Sequence, residues 1–144
     1  MRKILFALLL ALPMAAFAQQ SPVGTWTTID DETGQPKSVV EISEAADGSL
    51  VGTVVEVLQS EQGPNPVCSK CTGDRKDQPI EGMQIIWGVT EGRGGEWGGG
   101  KILDPASGKT YSVKMSTADN GQKLEVRGFM GFSLLGRTQE WQRR

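Results

Sequence analysis

The stretch "KTYSVKMSTADNGQKLEVRGF" (residues 109–129) consists of two alternating runs around a turn. Tyr111, Val113 and Met115 fall on one side of the first run, with Ser112 and Lys114 on the other. A period of two belongs to a half-buried strand, because successive side chains of a pleated chain point to opposite faces. Leu124 and Val126 carry the same pattern through the second run. Asn120-Gly121 between them tolerates the positive φ values that a tight hairpin demands. This is an antiparallel hairpin with one apolar face.

Working outward, Asp104 to Gly108 has the composition of another tight turn and leads back to a strand at Lys101 to Leu103. Met83 to Thr90 reads as a strand, and "EGRGGEWGGG" (residues 91–100) as a glycine-rich connection around Trp97. Gly24-Thr25-Trp26 opens the first strand, and "DDETGQPK" (residues 30–37) is a polar loop. Ser38 to Glu44 and Leu50 to Leu58 flank Asp47-Gly48, a second hairpin signal. The 50–58 strand is partly apolar on both faces, which suggests cover on its outer side. Leu134 to Trp141 is the last strand. Residues 59–82, rich in proline and mixed charge, form one long loop.

Eight strands joined mostly by short turns, without a convincing helix, indicate an all-β fold. Short turns make neighbours antiparallel, and an up-and-down barrel of about eight strands removes the unpaired edges that an open sheet exposes. A sandwich is the alternative. Lys114, Glu125, Arg127 and Glu140 interrupt the strands, against an outer-membrane barrel with a continuous apolar outer band.

The N-terminus reads as an export signal. Arg2 and Lys3 precede an apolar run from Ile4 to Leu12, too short to span a bilayer, and Ala16-Phe17-Ala18 supplies a cleavage pattern. Cleavage after Ala18 leaves residues 19–144 as a single β-barrel domain in the periplasm, with no transmembrane segment. Without Arg2 and Lys3, 13 basic residues face 17 acidic ones, a net charge of −4, which argues against a nucleic-acid partner.

The chain has no histidine. Catalytic triads, Cys–His pairs and histidine switches are therefore excluded, and no catalytic residue is assigned. Gly108-Lys109-Thr110 lacks the earlier glycine of a phosphate loop, and the glycines at 92–100 precede no helix, so no nucleotide cofactor is expected. Asp30, Asp31 and Glu32 cluster without calcium-loop spacing.

Cys68 and Cys71 are the only cysteines. Haem attachment needs a histidine at position 72, which is threonine, and zinc needs four ligands where two thiolates are offered. A thioredoxin-like centre would place its reactive cysteine at a helix start, and no helix signal follows Cys71. In an oxidising compartment the pair is expected as a disulfide that staples a surface loop without adding to the core. Thiol–disulfide redox chemistry at Cys68 and Cys71 is the alternative.

Several segments together resemble a known family. They are Gly24-Thr25-Trp26, "CSKCTG" (68–73), "PIEGM" (79–83), "ILDPASGKTY" (102–111), "LEVRG" (124–128) and "LLGRTQEW" (134–141). They resemble the exported bacterial domain-of-unknown-function family 2147, and the Gly-x-Trp with a late arginine resembles the lipocalin superfamily. That resemblance implies a lipocalin-like barrel whose base is closed by Arg137 packing over Trp26. It implies no reaction.

The leading functional expectation is non-catalytic: binding of a small, lipophilic ligand in the barrel lumen. Trp87, Tyr111, Met115 and Val126 are the candidate wall residues, with Trp26 and Trp141 also pointing inward. No metal site and no cofactor are expected. The uncharged segment 128–136 is expected to fold inward as a plug. The 59–82 loop, or that segment, is the candidate contact for an envelope partner; a homodimer, whose second chain would cover the outer face of the 50–58 strand, is the alternative.

Overall fold

Alternating residues become strands wherever one face can be buried. The computed structural model describes residues 20–132 and 135–144, so the expected export signal (residues 1–18) lies outside the described residues. The strands are β1 (Gly24–Ile29), β2 (Pro36–Glu44), β3 (Leu50–Val57), β4 (Gln84–Glu91), β5 (Trp97–Asp104), β6 (Lys109–Ala118), β7 (Lys123–Phe129) and β8 (Gly136–Arg143). Each pairs antiparallel with the next, and β8 returns to β1 to close the barrel. The only helical turns among the described residues are two three-residue 3-10 segments, at Gly73–Arg75 and Arg93–Gly95.

The hairpin of residues 109–129 forms in register, with Met115 opposite Val126 and Val113 opposite Gly128. Most strand boundaries shift by one or two residues from expectation, and two differences have consequences. β5 starts at Trp97 and takes in the glycine run expected as connection. Gly100 serves close packing, since a Cβ there would stand 2.7 Å from the Val89 amide nitrogen. β8 extends two residues past Trp141, to Arg143, and this extension decides how the barrel closes.

An up-and-down barrel collects alternate connections at each end. The β2–β3, β4–β5 and β6–β7 turns share one end with residues 20–23, and this end is the base. Here the interior is filled by Trp26, Ile42, Leu50, Met115 and Leu124, each no more than 2% exposed. The β1–β2, β3–β4, β5–β6 and β7–β8 connections surround the other end, the mouth. On the outer face of β3, Val55 is 47% exposed, so the described residues do not provide the cover expected there.

Candidate functional site

The base is locked by Arg143. It pairs with Trp26 across the β1–β8 seam, and its guanidinium lies 4.2 Å from the centre of the Trp26 ring. Arg143 also donates to three backbone carbonyls, of Gly121 (2.6 Å), Val23 (3.1 Å) and Ser21 (3.4 Å). The Trp26 indole N–H donates to the Pro22 carbonyl at 2.7 Å. Gly24 has a φ of +142°, which other residues rarely adopt, and a Cβ there would also displace Arg143 Nη1 from its place over Trp26. The Gly-x-Trp pattern thus has a physical cause.

Arg137 does not take this role, contrary to the expectation drawn from the resemblance. It sits at the opposite end of β8, 64% exposed, and pairs with Asp31 at the mouth. The reason is register. Trp26 lies near the start of β1, and antiparallel pairing sets it opposite the end of β8 rather than its beginning.

Above the filled base the lumen opens into a cavity of about 1500 Å³ that reaches the mouth. Val54, Ile85, Ile102, Tyr111 and Val126 form an apolar wall carried by β3 to β7, and Trp141 stands beside it on β8. Gly128 helps make the space. It lines the cavity, and a Cβ there would meet only Tyr111 and Ile102 at ordinary contact distances of 3.6–3.8 Å. A missing side chain on an inward position leaves volume open.

Of the four expected wall residues, Tyr111 and Val126 line the cavity, while Trp87 and Met115 lie outside its wall. Met115 is 1% exposed and packs into the base. Trp87 pairs with the exposed Lys101, and the Arg75 guanidinium lies over its ring at 4.6 Å. It therefore anchors the long loop to β4. The wall residues missed by sequence reasoning include Val54, Ile85, Ile102, Gly128 and Gln139. Ile85 and Ile102 were legible as strand residues, but bulges between β3 and β4 and between β5 and β6 hide which residues of β4 and β5 face inward.

Polar groups gather on the adjoining side, on β8, β1 and β2. Thr28 and Ser38 share a hydroxyl–hydroxyl hydrogen bond of 2.8 Å, and the Ser38 amide donates to Thr28 Oγ1 at 3.1 Å. The Trp141 indole N–H donates to Gln139 Oε1 at 3.1 Å. At the rim, the amides of Glu32 and Thr33 donate to Asp30 Oδ1 at 2.9 and 3.0 Å. These backbone bonds, Thr33 first, hold the Asp30 carboxyl below its ordinary value against some desolvation, helped by Lys37 at 3.7 Å. No general acid–base pair emerges from this arrangement. It offers an apolar enclosure with a few oriented hydrogen-bonding groups.

The 59–82 loop folds back on the barrel instead of standing free. Val67 bridges to Pro79, and Gln62 clasps Val67 through its carbonyl (2.8 Å) and its amide (3.0 Å). The loop adds Ser69, Lys70 and Ile80 to the cavity wall. The sulfurs of Cys68 and Cys71 lie at disulfide distance, with Cα atoms 5.3 Å apart. Both residues are buried, at 0% and 3%, and belong to the core cluster, so the expectation of a staple outside the core is corrected. A buried pair also lacks the access that thiol exchange requires. Gly108 completes the junction, since the Lys70 carbonyl sits where its Cβ would be.

The described residues of the 128–136 segment do not plug the barrel. Met130, Phe132 and Leu135 are 59%, 79% and 73% exposed, and Met130 and Leu135 edge the mouth. Ser133 and Leu134 lie outside the described residues.

The barrel resembles that of protein HP1028 from the human pathogen Helicobacter pylori, whose structure is described as belonging to the lipocalin family. The two superpose with a TM-score of 0.72, over 85% of this chain and 82% of that one, at 20% sequence identity. At that identity the likeness is one of fold: a lipocalin-like barrel. A search among curated proteins found no match. A family model matches residues 24–143, from the glycine that accommodates the Arg143 guanidinium to Arg143 itself. The chain belongs to the bacterial family described as "Uncharacterized protein conserved in bacteria (DUF2147)".

Proposed function

We propose that this protein binds a small, largely apolar molecule in the upper half of its barrel and performs no chemistry on it. The observation that carries the reading is the cavity itself, about 1500 Å³ with an apolar wall on β3 to β7. Ligand sites are commonly preformed apolar enclosures with a few polar groups that fix orientation. Burial of ligand surface would supply the affinity, at roughly 25 cal/mol for each Å² of apolar area removed from water. The filled base gives the ligand a floor, and the connections at the mouth give it an entrance.

The reading extends to place. The sequence of residues 1–18 supports export, so the working compartment is the periplasm, which cell fractionation of the tagged full chain tests directly.

Binding is tested by titrating folded protein with a lipophilic probe and following tryptophan emission. Trp141 borders the cavity, so emission is expected to change saturably, and Trp141→Phe is expected to lose most of the change. An equal response from denatured protein would sink the reading.

A further inference from the structure

The cavity has two unlike sides, and the polar one carries the uncharged groups Thr28, Ser38 and Gln139 below a rim where Lys37 and Arg137 are paired with Asp30 and Asp31. We infer that its ligand is a neutral amphipathic molecule, whose carbonyl oxygen (ester, amide or ketone) docks on Gln139 and the Thr28–Ser38 hydroxyl pair while its hydrocarbon part lies against β3 to β7. This rests on the cavity being a ligand site.

Gln139 shows the direction of the hydrogen bond. An indole N–H can only donate, so the bond from Trp141 Nε1 fixes the acceptor as Gln139 Oε1. The amide nitrogen is thereby turned away from Trp141. No described group accepts from it, and Gln139 is half-buried on the cavity wall. A donor held in place by its own oxygen awaits an acceptor.

The hydroxyl pair leads to the same conclusion by counting protons. Thr28 and Ser38 together carry two hydroxyl hydrogens, and the 2.8 Å bond between them uses one, whichever oxygen donates. The other hydrogen is left for a third group. Thr28 is only 7% exposed, and both residues line the cavity. β8 and β1 are neighbouring strands, as are β1 and β2, so these donors share one side of the lumen.

Charge argues against a carboxylate in that position. The nearby rim cations already have partners: Lys37 with Asp30, and Arg137 with Asp31. Lys70 is exposed at the rim, where water screens its attraction. An anion moved onto the polar strip would lose hydration without gaining an unpaired cation, whereas a neutral carbonyl needs only donors.

Binding of methyl decanoate, sodium decanoate and decane to the full-length barrel, compared by calorimetry at neutral pH, tests this. The ester is expected to bind at least about tenfold more tightly than the carboxylate, from the cost of desolvating an unpaired ion. Its carbonyl stretch is expected to shift to lower frequency on binding, the signature of an accepted hydrogen bond. Gln139→Glu keeps an acceptor for Trp141 but removes the donor. It is expected to lower ester affinity by roughly fivefold to tenfold, a larger factor than any loss in decane binding, which reports an intact cavity. Gln139→Met is expected to give the same loss without a new charge. Decanoate binding as tightly as the ester would overturn the inference, as would an unshifted carbonyl stretch or ester binding indifferent to both substitutions. Failure of all three probes to bind would overturn the binding function together with it.

Discussion

Arg143 and Arg137 occupy the same face of β8, yet one is structural and the other is not. Arg143 spends its donors on three backbone carbonyls and its flat face on Trp26, whereas Arg137 holds a single exposed ion pair. Arg143→Ala is expected to cost about 2–3 kcal/mol, since bonds from a charged donor to otherwise unpaired carbonyls are the strong kind. Arg137→Ala is expected to cost under about 1 kcal/mol. Chemical denaturation of the two variants checks the ranking, and equal losses would return the closing role to doubt. Gly100 makes a second point at this scale. Gly100→Ala would press a methyl group into the β4 backbone, with an expected loss of roughly 1–3 kcal/mol, the range for overpacking. Gly128→Phe has no such obstacle, since the new side chain enters open cavity; it should leave the fold intact and occupy the ligand's space.

Two elements carry conditional stability. The 59–82 loop owes its position to a buried cysteine pair, the Val67–Pro79 bridge and the Arg75–Trp87 stack. Replacing Cys68 and Cys71 together with alanine is expected to cost about 2 kcal/mol, the loop-entropy value for so small a ring. The barrel's circular dichroism should persist while proteolysis in the loop accelerates. The β1–β2 turn responds to acid. Asp30 has its pKa lowered in the folded protein by the Thr33 and Glu32 amides, so its contribution is full above the unfolded value of 3.8 and disappears as pH falls through the lower folded value. The amide resonances of Glu32 and Thr33 are expected to move with a midpoint below 3.8, and Asp30→Asn should abolish that titration.

Much of the element level was legible, because alternation and the Asp-Gly and Asn-Gly turns are local signals. The β6–β7 hairpin could be read directly from residues 109–129. What was missed depended on register or bulges. The resemblance points to Arg137, but the residue that faces Trp26 is Arg143, two positions beyond the last residue that alternation assigns to the final strand. Trp87 reads as an inward apolar residue from its type alone, yet it packs against the edge of the core outside the cavity wall. Positive φ at Gly88 and Gly99 marks the departure from regular strand there. Gln139 left no sequence signal at all: one glutamine in a polar strand resembles any other until its partner Trp141 is located.

For the whole molecule, the division of the lumen matters most. Seven aromatic residues in the 19–144 segment are few for filling a barrel, and the structure uses Trp26 and Trp141 low in the lumen while leaving the upper half open. A filled base and an empty upper half are what a binding protein requires, since the base carries stability and the cavity carries affinity. The measurement that tests this most directly is a native mass spectrum of the protein incubated with methyl decanoate, beside Gly128→Phe treated identically. One stoichiometric adduct on the parent protein, lost on unfolding and absent from Gly128→Phe, is the expected result. No adduct on the parent, or equal adducts on both proteins, would contradict the claim that the upper barrel is a ligand site.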